Sequence, residues 1–146
     1  MATFRTPQSV QLPPEAAQRA QAFAQAVADT VDYEDSHQTK KKKIHDDHFV
    51  SKLGEEAVRL VVESRHCSVE GPDYSIYNSR QKSWAADLKI NALEVAVKTQ
   101  RRSAANRYGL SWTFQDSPKR HDPILSMPEA WVCLVVYEDL KPDYEC

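Results

Sequence analysis

Asp87, Glu94 and Lys98 lie in one short stretch, W-A-A-D-L-K-I-N-A-L-E-V-A-V-K-T-Q, running from Trp84 to Gln100. A carboxylate and an ammonium group held on one face of adjacent strands are the raw material of acid–base and electrostatic chemistry. What would hold them is the period-two pattern of the stretch itself. Ala86, Leu88, Ile90, Leu93, Val95 and Val97 form an apolar set, and Asp87, Lys89, Glu94, Ala96 and Lys98 form the opposite set. The pattern predicts two antiparallel strands with one buried face. A two-residue loop at Asn91-Ala92 pairs Ile90 with Leu93. It sets Lys89 opposite Glu94 and Asp87 opposite Ala96, with Lys98 on the same face. Asn-Gly would suit such a tight turn better than Asn-Ala.

These residues resemble the core of the PD-(D/E)XK nucleases: an Asp, then (Asp/Glu)-x-Lys on the next strand, often followed by x-Gln. The matching positions are Asp87, Ala96, Lys98 and Gln100. The departure is Ala96, which stands where the family has its second acid. The resemblance implies a restriction-endonuclease-like fold and a catalytic set of Asp87, position 96, Lys98, Glu56 and Gln100. It implies Mg2+, with Mn2+ able to substitute, held by Asp87, position 96 and Glu56. Such a hard cation wants oxygen ligands, and it polarises the phosphate and acidifies the attacking water. The lysine would orient that water. Three readings of Ala96 stand side by side: a catalytic Glu replaced by Ala, a natural degenerate fold kept for binding, or a migrated role taken by Glu94. For Glu94 the plainer reading is a cross-strand pair with Lys89.

Other elements must position this hairpin. Pro14-Glu15 opens a helix expected to run to about Asp32, with a narrow stripe of Ala16, Ala20, Phe23, Val27 and Val31 suited to packing on a domain or a partner subunit. Residues 33–47 read as a polar linker. They carry Lys40, Lys41, Lys42 and Lys43, either a solvated charge run or a phosphate-contacting segment. His37, His45, His48, Asp46 and Asp47 show no tetrahedral ligand spacing. From His48 to Arg65, Phe49, Val50, Leu53, Ala57, Leu60 and Val61 fall on one side of a helix, interrupted by Gly54. The nuclease family often carries a Glu after a Gly on this helix. Glu56, at the edge of the stripe, is preferred over Glu55 for that role, and two plain exposed helix acids are the bland alternative. Residues 67–77 should hold a first strand region. They include a literal Pro72-Asp73, but Asp73 after Gly-Pro reads as a turn residue.

Beyond Lys98, residues 99–109 contain no acid, and Arg101, Arg102 and Arg107 suit forked phosphate contacts. Residues 110–114 and 131–137 read as strands, the second apolar enough for a buried place in the sheet. The loop between them brings Lys119, Arg120 and His121, which either touch DNA or merely cross an edge.

The 146-residue chain, with 27% charged residues and a net charge of −2, suits one modest core and does not by itself announce a polyanion partner. Cys67, Cys133 and Cys146 form neither a disulfide framework nor a zinc pattern. No apolar run approaches 18 residues and no leader peptide is visible, so a reducing, cytoplasmic setting is expected. The expectation is an α/β fold with a mixed central sheet and flanking helices. An N-terminal helix and basic linker over 1–47 would precede a nuclease-like core over 48–146, all in one compact domain. By resemblance, the function expected is a Mg2+-dependent endodeoxyribonuclease of phage or restriction type. It would bind DNA as a homodimer or higher homo-oligomer and be inactivated at position 96. A non-catalytic DNA-binding protein is the alternative, and a protein-interaction domain built on the first helix the plainest.

Overall fold

A computed structural model describes residues 4–29, 38–75, 87–114, 116, 118 and 122–139. The first helix, α1 (Pro14–Asp29), opens at Pro14 with Glu15 in its first turn, where the preset φ and the helix dipole favour them. Ala16, Ala20, Ala24 and Ala28 recur every fourth residue and are fully buried. Their small side chains make a smooth ridge on which α1 lies close against α2 (Gln38–Glu63). Ala16 and Ala20 belong to this ridge as expected. Phe23 and Val27 flank it, half-buried, and Val31 lies outside the described residues.

The helix α2 is 26 residues long, about 39 Å at 1.5 Å per residue. It begins at Gln38, so the expected linker over 33–47 is corrected: from residue 38 onward it is helical. Lys42 and Lys43 are exposed, and straight-chain lysines sit in a solvated helix at little cost. The helix ends in a Schellman arrangement: His66 N–H donates to Glu63 O at 2.9 Å and Cys67 N–H to Val62 O at 3.1 Å. His66 takes the left-handed position, with φ 63°.

Four strands follow in spatial order β1-β2-β3-β4: β1 (Val69–Glu70), β2 (Leu88–Ile90), β3 (Leu93–Arg101) and β4 (Trp131–Tyr137). The first three are antiparallel neighbours, and β4 joins β3 in parallel after a crossover through the short helix α3 (Arg102–Tyr108). The chain is therefore α/β, with a four-stranded mixed sheet and three α-helices among the described residues. The hairpin register is as the alternation predicted: Ile90 pairs with Leu93, Lys89 with Glu94 and Leu88 with Val95. Asn91 and Ala92 both have positive φ, 48° and 68°, the primed turn that matches strand twist.

Asn91 also exchanges hydrogen bonds with Ser68, giving its amide N–H to Ser68 O and accepting Ser68 N–H on Oδ1, both at 2.8 Å. That ties the turn to the start of β1. Of the strand region expected over 67–77, the described residues 67–75 form a strand at Val69–Glu70 alone; Ile76 and Tyr77 lie outside the described residues. The strand expected over 110–114 does not form. There Trp112 instead donates its indole N–H to the Val135 carbonyl of β4, at 3.1 Å.

One face of the sheet is covered by α2. Val58 and Val62 pack with Leu88, Ile90, Val95 and Val97 in the central cluster. Burying each such side chain is worth about 1.5–3 kcal/mol, far more than any exposed ion pair on the hairpin, so this cluster sets the register. Gly54 brings the helix down onto β3: a Cβ there would stand 1.8 Å from Thr99 Oγ1.

Candidate functional site

The hairpin register, continued by one residue beyond Leu88–Val95, puts Asp87 opposite Ala96 with Lys98 two residues further on. Asp87 Oδ2 accepts the Val97 N–H at 2.8 Å. The residue as a whole is exposed, with its carboxylate tied to β3 by that bond. Burial raises its pKa, opposed by the Val97 hydrogen bond and by the charges of Lys52 and Lys98. Ala96 is buried, 5% exposed, and offers only a methyl group. Lys98 is held by Asp122, whose carboxylate contacts its ammonium, and lies 5.1 Å from the centre of the Phe114 ring. Asp122 in turn caps the 3-10 turn Pro123–Ser126, accepting the Ile124 N–H at 3.3 Å. Gln100, on the same face as Lys98, points away from Asp87 chemistry. Its side chain bridges Gly109 O at 3.0 Å and the Ser111 N–H at 3.2 Å.

The two helix acids divide differently from the expectation. Glu56 faces α1. It accepts hydrogen bonds from Arg19, Arg59 and Tyr74, with Arg19 Nη2 at 3.3 Å and Arg59 Nε at 3.1 Å. Burial alone would raise its pKa, but these three donors bring it below the ordinary carboxylate value. Glu55 faces the sheet and is 3% exposed. Burial pushes its pKa up to about 7, against the pull of Lys52, and nearby Asp87 adds to the rise. Lys52 Nζ lies 3.2 Å from Glu55 Oε1 and 2.6 Å from the carbonyl of Asp73. Asp73 itself is exposed, and its carboxylate accepts the Ser75 N–H at 2.9 Å, the local turn bond its Gly-Pro context predicted.

Between α2 and the end of β3 opens a cleft of about 350 Å3, lined by Asp47, Val50, Ser51, Asp87, Val97, Lys98, Thr99 and Arg101. Asp47, Ser51 and Glu55, spaced by four, form one stripe of α2 on this side. Arg101 Nη1 sits 3.4 Å from Asp47 Oδ1 across the mouth. Thr99 Oγ1 is buried and has no hydrogen-bond partner among the described residues. The sequence pattern does not single out Asp47 or Ser51 for this cleft: a helix expected to begin at His48 leaves Asp47 outside its stripe, and nothing marks Ser51 among the polar positions of the helix. Nor does it single out Asp122, because nothing local distinguishes an acid between prolines and a basic loop.

Of the predicted phosphate contacts, Arg101 is paired with Asp47 and Arg102 with Glu138, the latter at 2.7 Å. Arg107 lies over the Tyr108 ring, 5.2 Å from its centre. Lys119, Arg120 and the side chains of Lys40 and Lys41 lie outside the described residues. Glu94 is 3.7 Å from Lys89 Nζ.

The donor set does not complete a divalent-cation site. Among the described residues, no three His, Cys, Asp or Glu side chains converge to hold one. Asp87 is the one carboxylate lining the sheet side of the cleft. Among the described residues, no helix is long and apolar enough to cross a membrane. No family model, curated protein or solved structure gives a significant match to the chain.

Proposed function

We propose that the chain is a small PD-(D/E)XK-type DNA phosphodiester hydrolase whose hydrolytic centre is incomplete at position 96. The observation that carries this reading is the Asp87 carboxylate on the Val97 N–H, between Ala96 and Lys98 in β3, just beyond the Leu88–Val95 pair of the hairpin. The element order α2-β1-β2-β3-α3-β4, with an antiparallel hairpin and one parallel strand after a helical crossover, supports a restriction-endonuclease-like core. The cleft adds two cations, Lys98 and Arg101, beside Asp87.

In this reading Asp87 is the surviving metal-binding carboxylate, and Lys98, fixed by Asp122 and Phe114, offsets negative charge on the phosphate. Glu55 replaces Glu56 as the helix acid beside Asp87. A bound Mg2+ would supply charge stabilisation and an acidified water. With a methyl group at 96, the residues present do not complete its ligands, so the chain as written binds DNA without cutting it. Dimerisation, which would widen a small contact surface, belongs to the same reading.

The test is Ala96→Glu. With magnesium or manganese it should gain cleavage of plasmid or branched DNA over a background indistinguishable from no enzyme. Circular dichroism and thermal melting must show the variant folded, because position 96 is buried. A folded Ala96→Glu chain that cuts no DNA substrate sinks the hydrolase reading.

The non-catalytic alternative is favoured by the internal pairing of the charges, Glu55 with Lys52 and Lys98 with Asp122. It expects DNA binding that survives unchanged in Ala96→Glu, with no cutting.

A further inference from the structure

We propose that Arg107, Tyr108 and Leu110 form a stacking platform for unpaired bases of single-stranded DNA. This inference rests on the nucleic-acid reading of the neighbouring cleft. Tyr108 is 72% exposed and Leu110 61%. The Tyr108 ring is left open to water apart from the Arg107 guanidinium over it, and Leu110, on the other side of Gly109, is exposed as well.

The backbone beneath them is held at both ends. Ser103 N–H donates to Asp139 at 2.8 Å and Arg102 pairs with Glu138, fixing the start of α3 to the end of β4. Gly109 N–H closes on Ala105 O at 2.8 Å, and Gln100 grips Gly109 O and the Ser111 N–H. The side chains are therefore presented on fixed backbone. Gln100 also sets their place, because it lies two residues beyond Lys98 on the same strand face, roughly 7 Å along β3.

Charge selects the partner. Among the described residues Arg107 has no carboxylate partner, unlike Arg101 and Arg102, and its guanidinium lies over the Tyr108 ring. A cation beside an open aromatic face is the combination that takes a base by stacking and its phosphate by charge. A duplex keeps its bases stacked and cannot use the ring, so the platform favours unpaired DNA.

The experiment measures fluorescence anisotropy of the full chain with a labelled oligothymidylate and, separately, with a duplex of equal length. Tyr108→Ala should weaken single-strand binding about tenfold or more, leave duplex binding within about twofold, and leave the melting temperature unchanged. Tyr108→Phe should bind the single strand as the parent does. Equal single-strand affinity for Tyr108→Ala, equal weakening on both probes, or no oligothymidylate binding by the parent chain would each overturn the proposal. Cleavage is not read here. A Tyr108 effect without cutting by Ala96→Glu would retain the platform and remove the hydrolase, and the converse would do the reverse.

Discussion

Lys89 Nζ stands 3.7 Å from Glu94 Oε1, directly across the hairpin from it. Both side chains are more than a third exposed, so the pair is worth about 0–1 kcal/mol. It nevertheless gives Glu94 a sufficient role at the turn end of the hairpin, two residues short of position 96. Glu94→Gln should therefore lower stability by less than about 1 kcal/mol in urea unfolding. In the Ala96→Glu background it should leave most of the nuclease activity. A loss of most of that activity would return the catalytic role to Glu94.

Gly54→Ala should destabilise the chain, although Ala in a helix is ordinarily favoured over Gly by about 1 kcal/mol. The new methyl would stand 1.8 Å from Thr99 Oγ1 and 3.0 Å from its Cβ, an overpacking worth about 1–3 kcal/mol. Thr99→Ala should recover part of that loss in the double variant, since it removes the nearest atom. Thermal melting of the four chains of the cycle checks it, and simple additivity would refute the contact.

Stability should fall between about pH 5 and pH 7 through Glu55. Its folded pKa is raised to about 7 from 4.5, so in this window the folded chain keeps a proton that the unfolded chain has released. Unfolding then becomes easier as pH rises, by about 1.4 kcal/mol per unit at most, and the effect levels off above pH 7. Asp87, also raised, adds in the same direction just above its ordinary range. Glu56, lowered, acts below pH 4.5, where acid removes its contribution. His48, lowered mainly by burial, opposes Glu55 below its ordinary value of 6.5. Glu55→Gln isolates the effect: urea unfolding against pH should become flatter by the Glu55 share, while an unchanged profile would show Glu55 ionised throughout.

Ala92→Gly should stabilise the hairpin by about 1 kcal/mol. Ala92 holds φ 68°, a left-handed conformation that costs an L-residue about 1–2 kcal/mol and that glycine adopts freely, at some entropy cost in the unfolded chain. Chemical denaturation with an unchanged slope against denaturant would confirm that native stability alone moved.

The hairpin and the existence of β4 were legible because their signals are local: strict alternation, a turn residue and an apolar run. The buried place expected for that run is corrected, because among the described residues β4 is the edge of the sheet and its Val132 and Leu134 are 40% and 50% exposed. The helix acids were not, because α2 is buried on two sides. A single apolar stripe marks one contact face, yet Glu56 meets α1 through Arg19 while Glu55 meets the sheet. The start of α2 was hidden by four lysines, which in sequence look alike whether helical or not. Residues 110–114 have the composition of a strand, but Trp112 spends its indole N–H on the β4 carbonyl of Val135 instead of joining the ladder. Asp122 reaches Lys98 across 24 positions of chain, a separation at which pattern carries no information.

The four buried alanines of α1 are interchangeable with one another along the helix axis. A shift of α1 by four residues, about 6 Å, would lay alanine where alanine had been, so apolar packing leaves the axial register of the two helices nearly degenerate. What distinguishes one setting from the next is a handful of specific contacts: Arg19 on Glu56, Gln21 with His45 at 3.0 Å, and Phe23 with its ring centre 4.7 Å from Lys52 Nζ and 5.8 Å from that of Tyr74. Those few groups index the first helix against the rest of the molecule.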